Sequence, residues 1–261
     1  AKLRQPERAV EYYARVPEKS PYRRDAEMQR ALNLAENEKT GEAIEQLKTL
    51  LNRDKTDLRT YLALGGVYAQ DKNFADAAKI YDAAVEQIKS PERKDWPVFY
   101  QRGIAHERLK EWDQAEPNFK KALELYPDQP QVLNYLGYSW VDRGENLDEA
   151  LLMIKKAVEL RPQDGYIVDS LGWAYYQLGR YPEAVVELEK AVKLRPEDPT
   201  INDHLGDAYW RADRQLEATF QWNHAIAGKP EPEELAKIEE KLKSGLADPA
   251  NPAQADAAKP D

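Results

Sequence analysis

The 261-residue chain carries 38 Lys+Arg against 47 Asp+Glu, a formal net charge of −9, and no Cys. That acidity repels nucleic-acid phosphates and anionic lipid, and the missing thiols exclude disulfides and thiolate metal sites without choosing a compartment. The length suffices for one large or two ordinary domains, and no run approaches the roughly 18 apolar residues of a membrane span.

The chain opens on Ala1 rather than Met, without the apolar stretch of a signal peptide, and reads as a mature or trimmed fragment. The first element, "ERAVEYYARVP", has the pattern of the second helix of an incomplete repeat whose first helix lies upstream. Beyond it the chain is self-similar at about 34 residues, the mark of a stacked repeat architecture. Gly103, Gly137, Gly172 and Gly206 are 34, 35 and 34 apart, and Pro127, Pro162, Pro196 and Pro230 follow at 35, 34 and 34. Ala43, Ala77, Ala115, Ala150, Ala184 and Ala218 keep the same beat, apart from a four-residue insertion near "SPERKD" and one extra residue in "RGENLDEA".

Six full repeats are expected, near residues 24–57, 58–95, 96–129, 130–164, 165–198 and 199–232, each a pair of helices such as "GYIVDSLGWAYYQLG" and "YPEAVVELEKAVKLRP". A Gly closes the first helix and a Pro the second. Gly172, mid-helix, costs about 1 kcal/mol against Ala in propensity; the expected compensation is close approach of Ala184. Leu235, Ile238 and Leu242 share one face of a capping helix at 233–245, so the solenoid is expected to fill 1–245. The Pro- and Ala-rich residues 246–261 lack a periodic apolar face and are expected to be disordered.

Chemistry-bearing motifs are sparse. The three His, at 106, 204 and 224, have no second His at ligand spacing, so neither a metal nor any other cofactor is expected. No phosphate loop, dinucleotide glycine pattern or nucleophile elbow is present, and carboxylate runs such as "ELEK" read as solvated helix faces. No catalytic residue is assigned. His106 falls at a packing position and His204 on a polar face.

These residues resemble the tetratricopeptide repeat family. Leu171, Gly172, Tyr175, Ala184, Leu188, Ala191 and Pro196 stand where the signature of that family places small and large residues, and the match runs over residues 6–245. Departures are Val168 in place of Trp, His106 and Trp140 in place of Tyr, and Ala31 in place of Gly in the first full repeat. The resemblance implies an all-α, right-handed superhelix of helix pairs whose first helices line a concave, protein- or peptide-binding groove. A narrower resemblance rests on "YYARVPEKSPY", "VLNYLGYSWVDRGENLDEAL", "DGYIVDSLGWAYY" and "DPTINDHLGDAYW". These are similar to proteobacterial outer-membrane lipoprotein adaptors of carboxy-terminal processing proteases, which implies a periplasmic or outer-membrane-associated location over a cytoplasmic one.

Carried onto this chain, the groove positions of the family are Tyr100, Gln101 and Arg108; Asn134, Tyr135, Tyr138 and Asp142; Tyr166, Asp169, Ser170, Trp173, Tyr176 and Gln177; and Asp203, His204, Asp207, Trp210 and Arg211. Asn134, Asp169 and Asp203 recur at one position, a ladder able to bond an extended backbone. No Lys falls among these positions, so the grip on a terminal carboxylate used by heat-shock co-chaperones of this family is absent, and a basic or extended internal segment fits better. The expected function is a non-enzymatic adaptor or scaffold. The rivals are a self-assembling scaffold, joined through its open N-terminal edge, and a regulatory arm of an enzyme whose catalytic domain lies upstream.

Overall fold

The computed structural model describes residues 6–247, in which fourteen α-helices and no strand occur. The disorder expected of 246–261 falls almost wholly outside them. The chain divides into two compact units that meet at Pro127 and Asp128. In the first, α1 (Pro6–Ala14) precedes the pairs α2 (Arg23–Glu36) with α3 (Thr40–Arg53), α4 (Leu58–Gln70) with α5 (Phe74–Glu86), and α6 (Trp96–Arg108) with α7 (Trp112–Leu125). In the second, α8 (Pro130–Arg143) pairs with α9 (Leu147–Leu160), α10 (Gly165–Gln177) with α11 (Tyr181–Leu194), and α12 (Pro199–Arg211) with α13 (Gln215–Ala227). Helix α14 (Pro232–Ser244) follows unpaired.

Local chemistry sets the helix starts. The side chains of Asp57, Asp164 and Asp198 accept from the backbone N–H groups of Arg59, Tyr166 and Ile201 at the first turns of α4, α10 and α12, satisfying donors that the helix leaves orphaned. The turn inside every pair requires one left-handed residue, and it falls at the same place each time: Glu38, Lys72, Lys110, Gly144, Gly179 and Asp213 have φ between 57° and 71°. Only two of the six are Gly. The extra residue of "RGENLDEA" is absorbed by Asn146, which also turns left-handed, at φ 46°. The "SPERKD" insertion folds into a 3-10 turn, Arg93–Asp95, where buried Asp95 accepts from the Glu92 N–H at 2.9 Å and Arg93 lies 3.9 Å over the Tyr126 ring.

Packing within each pair follows one rule. Ala43, Ala77, Ala115, Ala150, Ala184 and Ala218 are all fully buried, which lets the second helix lie close to the first. Five mid-helix glycines are covered by a large side chain from the partner helix: Gly65 by Tyr81, Gly103 by Phe119, Gly137 by Ile154, Gly172 by Leu188 and Gly206 by Trp222. This corrects the expectation for Gly172. The group that needs its bare Cα is Leu188, one turn further along α11 than Ala184, because the small Ala brings the backbones near and the next inward residue reaches across. His106 is buried, with Nδ1 2.8 Å from Glu111.

Candidate functional site

The candidate surface lies on the first helices of the second unit, α8, α10 and α12, with the C-terminal segment beside them. Its centre is aromatic. Trp173 stacks on Tyr176 with centroids 4.7 Å apart and planes at 8°, and on His204 of α12 at 4.1 Å and 17°. Both Trp173 and Tyr176 stay half-buried, whereas Gln177 is exposed. Tyr138 is also half-buried; burial, and then the charges of Asp169 and Asp142, push its phenol above the usual range. Tyr176 is raised by burial and by Asp207, with Arg211 opposing.

Beneath the rings the polar groups are spent on one another. His204, only 8% exposed, places Nδ1 3.0 and 3.1 Å from the two carboxylate oxygens of Asp169, itself 6% exposed. Burial opposes a charged imidazole there, but Asp169, then Asp207 and Asp203, outweigh it and hold the pKa above 6.5. Ser170 donates to the Tyr166 carbonyl at 3.0 Å and is buried. Asp207 accepts from Trp222 Nε1 at 2.9 Å, and Trp222 packs on Trp210 at 5.4 Å.

Lys241, on α14, closes the far end. Its Nζ lies 2.8 Å from both oxygens of Asp203 and 2.8 Å from Asp207. Burial works against the ammonium, yet the two carboxylates win and raise its pKa. Arg211 donates to the Ala247 carbonyl at 2.7 Å, and Gly245 sits so close to Trp210 that a Cβ would overlap the indole.

Several sequence expectations change accordingly. Asp169, Ser170, His204 and Asp207 are buried rather than lining, because Asp169 and His204 pair across α10 and α12, Ser170 bonds its own helix, and Asp207 bonds Trp222 of α13 and Lys241 of α14. The ladder is not free: Asp169 bonds His204 and Asp203 bonds Lys241, and Asn134 keeps a buried amide oxygen with no donor among the described residues. The face does receive a lysine, from α14. Lys241 stands 34 residues after Asp207, within the register of the period, but on a helix beyond the six repeats from which the groove positions are read. Tyr135 is half-buried; Tyr166 and Asp142 are exposed, with Arg195 5.0 Å over the Tyr166 ring. In the first unit, Tyr100 and Gln101 are half-buried, burial pushes Tyr100 up to about 12, and exposed Arg108 lies 5.0 Å over Phe74. No three His, Cys, Asp or Glu side chains gather as a metal set among the described residues, and no described helix is long and apolar enough to cross a membrane.

Three family models match the chain: a tetratricopeptide repeat over residues 28–92, another over 96–129, and a TPR repeat over 172–213. A curated relative, the general transcriptional corepressor ssn6 of Schizosaccharomyces pombe, is 29% identical over 126 residues, 48% of this chain and 11% of that protein. The chain is similar in fold to the APC/C hetero-tetramer Cut9–Hcn1, with a TM-score of 0.76, 16% identity, and coverage of 93% of this chain and 46% of that one. It is also similar to a tetratricopeptide repeat protein of Parabacteroides merdae, with a TM-score of 0.66, 18% identity, and coverage of 91% and 90%. It thus spans under half of the Cut9–Hcn1 chain and about a tenth of the corepressor.

Proposed function

The chain belongs to the tetratricopeptide repeat family, and from that premise we propose that it is a non-enzymatic scaffold that holds a partner protein on its first-helix face. The observation that carries this reading is the half-buried trio Tyr138, Trp173 and Tyr176. Half-buried rings, two of them, Trp173 and Tyr176, stacked on each other, offer contact area with little rotamer entropy left to lose, the pattern of interface anchors. The carboxylates around them are paired internally, so the accessible ring surface supplies affinity, at Trp173 through the indole edge because its faces stack on Tyr176 and His204, and exposed Asp142 and Gln177 supply polar contacts at the edge. A basic or extended segment fits this face, a reading supported by the pairing of Lys241 with Asp203 and Asp207 at its acidic end.

We further place the protein at the cell envelope, as an adaptor for a processing protease, on the motifs quoted above. A lipid-attachment cysteine in the upstream gene sequence supports that placement and its absence there removes it. For the groove, Trp173→Ala with Tyr138→Ala lowers capture of the partner, with each anchor worth about 2 kcal/mol or more if it is a hot spot. Helix content measured by circular dichroism stays the same. Gln177→Lys, on an exposed side chain, weakens capture of a basic partner without touching packing. Unchanged affinity in both variants refutes the reading.

A further inference from the structure

The acidic end of this face already carries an occupant, drawn from the chain itself. Lys241 bridges Asp203 and Asp207 at 2.8 Å. One turn later Gly245, at φ 70°, lies flat against Trp210, and Arg211 holds the Ala247 carbonyl at 2.7 Å. Four of the residues assigned to the groove are therefore covered by residues 241–247. The helix that delivers them is weakly anchored: α14 buries Ile238 alone, whereas α13 buries Ala218, Trp222 and Ala225. A terminal helix with so few apolar contacts opens before the rest of the fold does.

We propose that residues 241–247 form a displaceable strap over the end of the groove, and that a partner binds there by placing its own lysine between Asp203 and Asp207. The proposal rests on the first-helix face being the partner site. Two carboxylates, one of them 6% exposed, share the Lys241 ammonium, and the other donor to Asp207 is the neutral Trp222 N–H. Opening the strap leaves them uncompensated, so the vacated site selects another cation. Trp210 adds a second criterion. The residue four positions after the lysine must be small, because a side chain at Gly245 would run into the ring. The strap is tethered, so it competes at an effective concentration on the order of millimolar, which excludes weak basic segments.

The test uses the full chain and a fluorescein-labelled synthetic peptide of residues 232–247 as probe, read by fluorescence anisotropy. Lys241→Met disables the chain's own strap, and this variant binds the probe at least about tenfold more tightly than wild type, because the open fraction rises. Gly245→Val loosens the strap through Trp210 and leaves the charges alone. It also raises binding, and it carries the test if Lys241→Met fails to fold. The gain disappears when the probe itself carries Lys241→Met, or when Asp203→Asn is added to the loosened chain. Binding equal to wild type in every folded loosened chain overturns the proposal, as does a gain that survives the Met probe or Asp203→Asn. The probe is the chain's own segment, so this result stands apart from partner capture by Trp173 and Tyr138.

Discussion

Replacing Gly172 by Ala tests the packing rule that positions the candidate face. In an unconstrained helix the change stabilises by about 1 kcal/mol through propensity. Here the new methyl meets Leu188, overlapping its Cγ and lying 2.9 Å from Cδ2 and 3.2 Å from the backbone nitrogen. Leu188 is fully buried, and the obstacle is its branch carbon rather than a mobile tip, so α11 itself must shift. Overpacking of this kind costs about 1–3 kcal/mol; less the propensity gain of about 1 kcal/mol, Gly172→Ala is expected to destabilise by up to about 2 kcal/mol. Leu188→Ala alone costs about 2–5 kcal/mol as a cavity, but it removes the clash, so Gly172→Ala in that background turns stabilising by up to about 1 kcal/mol. Urea unfolding followed by circular dichroism and tryptophan emission reads the four corners of the cycle. The same sign and size in both backgrounds, that is, additivity, refutes the reasoning.

Three further outcomes follow from the same geometry. Lys110→Gly and Lys72→Gly relieve exposed left-handed residues at φ 63° and 57° and should each raise stability by about 0.5–1 kcal/mol in urea titrations, while Gly179→Ala, at φ 71°, lowers it by a similar amount. The His204 pair gives a pH dependence. Its pKa is raised on folding, because Asp169, Asp207 and Asp203 together outweigh burial, so the stabilisation is complete below the ordinary value of 6.5 and fades as pH rises through the folded value. The urea midpoint should therefore fall over that window, and His204→Gln should flatten the fall. Asp203→Asn should loosen α14, read as faster amide exchange over Pro232–Ser244, because Lys241 then keeps only Asp207.

The fold class was legible because it rests on periodicity. Small residues recurring every 34 positions, with two runs of helical apolar spacing in each repeat, read as stacked helix pairs, and the bare glycines and buried alanines that mark the beat are the contacts themselves. What the period does not carry is how each polar position is used. Asp169 and Asp203 occupy equivalent places, yet one bonds a histidine of the next first helix and the other a lysine of α14. That difference is set by the residue 35 or 38 positions later, beyond any single repeat. The same blindness put Ala184 against Gly172, since the motif records which residues are small and large without saying which large side chain crosses the gap. Left-handed turns were visible at Gly144 and Gly179 and invisible at Lys72 and Lys110, where the tight turn imposes the conformation on a residue that does not favour it.

Whether a partner lies on the first helices is read out by photo-crosslinking. A benzoylphenylalanine placed at Gln177, exposed on α10, is compared with one at Leu152, 67% exposed on the second helix α9. The captured partner is expected to crosslink from position 177 and not from 152. Crosslinking from 152 alone would place the partner on the second helices and contradict that expectation.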